Sequence, residues 1–163
     1  MKQTISRDTP LTELCLRKYE KPYNLSRRDL IKRLCLSLGL LQPGDSRDVI
    51  VDVLFVILDS ERPLSSEEVR EGVIELRKEE NLQLIGVAAS NIRRQLKRLR
   101  ELYLIEKIKN NYRITENLTI LEIFNEKIEK YILASILERI KTHIREVDLA
   151  FNKRKAEPSN LPE

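Results

Sequence analysis

One stretch, Val87 to Thr115, restricts the possible folds more than any other: VAASNIRRQLKRLRELYLIEKIKNNYRIT. Its first part has helical period. Ile92, Leu96, Leu99 and Leu102 or Tyr103 recur at three- and four-residue spacing and so share one face. Arg93, Arg94, Lys97, Arg98 and Arg100 occupy the rest of the circumference. The period then changes. Ile108, Tyr112 and Ile114 lie in two short β-prone runs around Asn110-Asn111. Asparagine tolerates the positive φ of a tight turn, so Asn110-Asn111 predicts a hairpin. A basic amphipathic helix thus leads directly into a basic hairpin.

Charge distribution supports a surface role for this stretch. The chain has a net charge of +4 over 163 residues. Val87–Thr115 holds eight cations against two anions, Glu101 and Glu106, a local balance of +6 that leaves −2 for the remainder. Positive charge concentrated on one motif is what a polyanion-binding surface requires; a merely solvated helix face is the plainer alternative. Arg100 reads as a structural ion-pair partner of Glu101 or Glu106 rather than a ligand contact.

Around this motif the chain reads as helices. Residues 1–10 are polar and read as mobile, and Leu11–Lys18 predicts a short helix through Leu11, Leu14 and Cys15. Ser26 is an N-cap for a helix to about Leu38 that buries Leu30, Ile31, Leu34, Cys35 and Leu38, with Gly39 beyond its end. Asp45 or Ser46 caps a second, very apolar helix, Val49 to Leu58. Its β-branched content also admits a strand, but the cap and the length favour a buried helix. Leu64 can supply an edge β-bridge. Ser65 and Glu68 form a capping box for a helix to about Glu79, in which Gly72 marks close helix packing. Asn81–Gly86 is a turn, with Leu82, Leu84 and Ile85 as core plugs.

Thr119 and Glu122 form a second capping box, opening a helix from Ile120 to about Phe151. Phe124, Ile128, Ile132, Ile136, Ile140, Ile144, Val147 and Phe151 form one apolar stripe along it. The helix would be roughly 45 Å long, too long for one small domain to cover. The stripe therefore packs on the N-terminal helices or on a second copy of the chain, and we expect the second copy. Domain organisation follows: 1–44 a helical extension, 45–117 the domain bearing the basic motif, 118–151 a dimerisation helix, 152–163 a disordered tail.

Several chemistries find no residues to carry them. Gly39, Gly44, Gly72 and Gly86 make no phosphate-binding loop. His143 reads as a helix-surface residue. Neither Cys15 nor Cys35 has metal-ligand spacing, and both read as buried reduced thiols, which implies a cytoplasmic location. No nucleophile motif or membrane span is visible, so no enzyme, cofactor, metal or membrane role is expected.

Leu64-Ser65-Ser66-Glu67-Glu68-Val69, Ser90 to Leu99, and Leu102-Tyr103-Leu104-Ile105 with Tyr112-Arg113-Ile114-Thr115 together resemble the winged helix-turn-helix transcription regulators of archaea and bacteria, of the broad MarR-like kind. The resemblance covers about a third of the chain. Such families usually carry glycine where Tyr103 stands. It implies a mostly α, winged helix-turn-helix fold with a small β-hairpin wing, an N-terminal helical extension and a long C-terminal helix. The implied function is that of a homodimeric, sequence-specific regulator of transcription that binds double-stranded DNA. Ser90, Asn91, Arg93, Arg94, Lys97 and Arg98 would act from the recognition helix, and Lys107, Lys109, Asn110, Asn111 and Arg113 from the wing. A winged-helix assembly module of a transcription or chromosome-organising complex is the alternative, and an RNA-binding module a third reading.

Overall fold

The computed structural model describes residues 7–151. It is mostly helical with a small three-stranded antiparallel sheet. In chain order the elements are α1 (Arg27–Ser37), α2 (Val49–Asp59), β1 (Leu64–Ser65), α3 (Ser66–Glu79), α4 (Ala89–Glu101), β2 (Ile105–Ile108) and β3 (Asn111–Ile114). A 3₁₀ turn (Thr115–Asn117), α5 (Ile120–Ile123), a π-helical segment (Phe124–Leu133) and α6 (Ala134–Phe151) complete it. The polar tail at 152–163 and the first six residues lie outside the described residues.

α2 is the centre of the molecule. Val49, Ile50, Val51, Val53, Leu54 and Ile57 are all buried, and α1, α3 and α4 pack around them. The β-branched run is therefore a helix, because it is enclosed on nearly every side. Its N-cap is Asp48 rather than Asp45 or Ser46, and the Asp48 side chain makes no capping bond. Its oxygens are drawn instead to Arg28 Nη2 at 3.0 Å and Arg77 Nη1 at 3.2 Å. Asp52, one turn on and wholly buried, meets Arg28 Nε at 2.8 Å and Arg77 Nη1 at 2.6 Å. Two carboxylates of α2 and its cap thus hold one arginine from α1 and one from α3. This turns α1 from the expected orientation: Arg28 is buried and Leu30 is 45 % exposed.

Other contacts follow the sequence closely. Ser65 and Glu68 form the capping box, as do Thr119 and Glu122. A Cβ on Gly72 would come within 2.8 Å of Val56 Cγ1, so the glycine lets α3 lie directly on α2. β1 pairs with β3 (Leu64 with Tyr112), and β3 with β2 (Ile105 with Ile114), in the order β1-β3-β2.

Four further expectations are corrected. Residues 11–18 form no helix; they run as a strap over the end of α1. Arg17 pins this strap, its backbone N–H donating to Ser37 O at 2.9 Å and its guanidinium to Leu36 O at 2.9 Å and Gln42 Oε1 at 2.6 Å. The strap is thus tied to carbonyls at the end of α1 and in the loop that follows. Cys15 is consequently exposed, whereas burial pushes the Cys35 thiol up to about 12. Leu84 and Ile85 are 45 % and 55 % exposed and do not plug the core.

The fourth concerns the long helix. Ile123 and Ile128 are fully buried in the common core and Ile132 nearly so. Ile123, Ile128 and Ile132, five and then four residues apart, share a face because the Phe124–Leu133 segment is π-helical, with Ala134 N–H donating to Glu129 O. Phe124, Ile128 and Ile132 therefore pack within their own chain and are not free for a partner. α6 contrasts with this: it contains no buried residue.

Removing Asp52 takes the shorter ion pair from each of two buried guanidiniums and leaves them to share Asp48. Asp52→Ala should destabilise the fold by about 3–5 kcal/mol in urea unfolding, whereas an exposed control, Asp59→Ala, should cost under about 1 kcal/mol. Acid should act on the same cluster. Burial opposes ionisation of Asp48, but the hydrogen bonds and charges of Arg28 and Arg77 outweigh it and hold the carboxyl below the usual range. A lowered folded-state value means stability is present above the unfolded value near 4 and is lost as pH falls below it. A stability profile flat between pH 5 and 2 would contradict this.

Candidate nucleic-acid interface

α4 buries Ile92, Leu96 and Leu99 completely and turns the rest of its surface away from α2. Its two flanks differ. On one, Asn91 is half-buried: its Nδ2 donates to Gly86 O at 2.6 Å, and its Oδ1 accepts from Gln95 Nε2 at 3.0 Å. Arg98 continues that row, donating to Gln95 Oε1 at 2.9 Å and to Leu40 O at 2.5 Å. The segment after α1 thus lies along this flank and occupies its polar atoms. Ser90, Arg93, Arg94, Lys97 and Arg100 remain exposed on the outward face and the other flank.

The helix is ended by backbone geometry. Tyr103 takes φ +62°, in the left-handed region. Leu104 N–H then reaches Leu99 O at 3.1 Å and Tyr103 N–H reaches Arg100 O at 2.9 Å, the paired bonds of a Schellman motif. α1 ends the same way on Gly39 and α3 on Asn81. Tyr103 therefore does what glycine does elsewhere, against the steric cost of its Cβ. Its carbonyl accepts from Thr115 Oγ1 at 2.6 Å, and its ring meets that of Tyr131 edge-on at 6.1 Å.

The hairpin turn sits one residue earlier than the Asn110-Asn111 expectation. Lys109 (φ +48°) and Asn110 (φ +66°) are the two turn residues, and Asn111 pairs with Ile108 in the ladder. Positive φ at both central positions is the type I′ geometry whose twist matches the strands. This register places Glu106 opposite Arg113, and their side chains meet at 2.7 Å. Glu106 also accepts the Glu116 N–H at 2.9 Å. Burial disfavours the ionised Glu106, but these bonds prevail and hold its carboxyl below the usual range. Arg113 is thus neutralised inside the hairpin. Lys107, Lys109 and Asn110 stay exposed, Lys107 lying 5.6 Å from the Tyr112 ring centre.

Of the sequence-predicted residues, Ser90, Arg93, Arg94, Lys97, Lys107, Lys109 and Asn110 are exposed, while Asn91, Asn111, Arg98 and Arg113 are half-buried with their polar groups or strand positions committed internally. The sequence reads Arg100 as an ion-pair partner of Glu101 or Glu106. Glu101 instead lies 3.9 Å from Lys97 and Glu106 binds Arg113, so Arg100 joins the exposed cations. Arg47, on the loop before α2, also approaches this helix and gave no sequence signal, because it stands outside the periodic motif. Among the described residues, no helix is long and apolar enough to cross a membrane.

The strain at Tyr103 is testable. Tyr103→Gly and Tyr103→Ala both lose the ring contact, but only glycine relieves the left-handed backbone. Tyr103→Gly should be the more stable of the two by about 1 kcal/mol in urea unfolding. Comparison of the chain with protein-family models, curated proteins and solved structures yields no match.

Proposed function

We propose that this chain is a winged-helix regulator of transcription that binds double-stranded DNA sequence-specifically as a homodimer. One observation carries the DNA reading. The outward face of α4 and the adjoining hairpin expose six cations, Arg93, Arg94, Lys97, Arg100, Lys107 and Lys109, against one exposed carboxylate, Glu101. A helix of this width fits the major groove, and a hairpin beside it is placed to meet the neighbouring backbone. Arg94 and Ser90, on the outward face near the helix start, are the candidates for base edges. Asn91 is reassigned to positioning, since its amide already holds Gly86 and Gln95. Such a protein acts where DNA is, in the cytoplasm of a prokaryotic cell.

The dimer reading rests on α6. Leu137, Ile140, Ile144, Val147 and Phe151 follow one another at alternating spacings of three and four, and all are between 46 % and 82 % exposed. That is the a/d pattern of a coiled-coil seam. The same exposed stripe is what favours the second reading, a winged-helix module that assembles with another protein.

Affinity for duplex DNA should fall with salt: if about four phosphates are neutralised, the slope of log K against log salt is about −4. Arg94→Ala should cost ~1–3 kcal/mol on the preferred sequence and little on random duplex, whereas Lys109→Ala should weaken both alike. Binding to duplex that is weak and insensitive to salt would favour the assembly reading.

Ile144→Glu tests the dimer, because Ile144 is 52 % exposed on a helix that contains no buried residue. Sedimentation equilibrium at low micromolar concentration should give a dimer for the native protein and a monomer for Ile144→Glu, with the thermal transition of the core retained. A native monomer would refute the dimer.

A further inference from the structure

Between the loop before α2 and the inward flank of α4 lies a cleft of about 390 Å³. Asn91, Arg94 and Arg98 contribute to one wall, and Gln42, Asp45 and Arg47 to the other. Three arginines and one acidic residue, Asp45, therefore line it. Asp45 Oδ1 already accepts the backbone N–H of Arg47 at 2.9 Å. Arg98 is held by neutral acceptors alone, Gln95 Oε1 and Leu40 O. Among the described residues none of these three arginines enters an ion pair. Arg28, Arg77 and Arg113 each meet a carboxylate within 3.3 Å, whereas Arg17 and Arg70, like Arg98, are held by neutral acceptors. A concave, polar, cationic site without its own counter-charge is one that an anion completes. Its volume falls within the ~300–1,000 Å³ of ligand sites.

We infer that this cleft binds a phosphate group, gripped by Arg47 and Arg94 and oriented by the immobilised Arg98. Guanidinium suits the role, because its planar fork matches two phosphate oxygens at once. The phosphate has two possible sources, a free phosphorylated small molecule or the backbone of DNA. Arg94 stands both on the cleft and on the outward face of α4, so a free phosphate compound and a duplex compete for it. The linkage is reciprocal: each ligand weakens the other by the same factor. The DNA source rests on the function proposed above, and the free source does not.

The probe is inorganic pyrophosphate, titrated calorimetrically into the full-length protein at constant ionic strength, with chloride as the reference. Arg47 is exposed on a loop and supports no packing, and Arg47→Lys keeps the charge as a control for folding. Saturable binding in the native protein, weakened at least about tenfold in Arg47→Gln, establishes the free source. Pyrophosphate should then lower duplex affinity in the native protein and not in Arg47→Gln. No pyrophosphate binding, but a duplex salt slope shallower by about 1 in Arg47→Gln, assigns the cleft to backbone phosphate. Pyrophosphate binding unaffected by Arg47→Gln overturns the inference. So does its absence together with an unchanged salt slope, even if the native protein grips duplex firmly. That last result would leave the DNA reading standing and remove only the cleft.

Discussion

Asp52 sits at zero exposure in the middle of an otherwise apolar helix, and its charge is tolerable there only because Arg28 and Arg77 reach it from two other helices. Asp48 adds a second carboxylate to the same pair of guanidiniums. An apolar interface would have bound α1, α2 and α3 with less loss of hydration, but it would have accepted several rotations of each helix. Directional hydrogen bonds from a planar guanidinium accept few. With α1 held in this way, the chain leaving it passes along α4, where Leu40 O meets Arg98. One flank of the basic helix is thereby covered.

That covering divides the polar residues of α4 into two classes that composition does not distinguish. Asn91, Gln95 and Arg98 bind one another, Gly86 and the loop. Arg93, Arg94 and Arg100 keep their charges for solvent or a ligand, and exposed Lys97 lies 3.9 Å from Glu101. The hairpin repeats the division, with Arg113 spent on Glu106 and Lys109 free at the turn. The helix and hairpin are joined through Tyr103, whose left-handed backbone sets the angle between them. The Thr115 hydroxyl and the Tyr131 ring hold that residue from two later elements.

The C-terminal helix passes between two environments. Its π-helical part re-phases the side chains so that Ile123, Ile128 and Ile132 enter the core, with more residues per turn than an α-helix would place there. Beyond Leu133 the winding returns to α, and among the described residues none of the apolar residues at alternating spacings of three and four is buried. The face that closes the domain and the face left open are consecutive parts of one helix.

Local chemistry was legible in the sequence. The capping boxes at Ser65 and Thr119, the glycine end of α1, the close approach at Gly72, the edge bridge at Leu64 and the amphipathic basic helix each depend on residues a few positions apart or on one missing side chain, and each stands as read. The mostly helical architecture with a small antiparallel sheet follows from the same periodicities. What depended on distant partners was not legible. Nothing near Asp52 announces Arg28 and Arg77, 24 and 25 positions away. Leu11–Lys18 has apolar spacing compatible with a helix, but Arg17 finds its acceptors in α1 and the loop, and the strap stays extended. Asn91 and Arg98 look like their neighbours in the basic run until the loop from α1 is laid beside them. Periodicity determined which face of each helix is apolar; only the packing of non-local charges and carbonyls decided which polar side chains were left free to act.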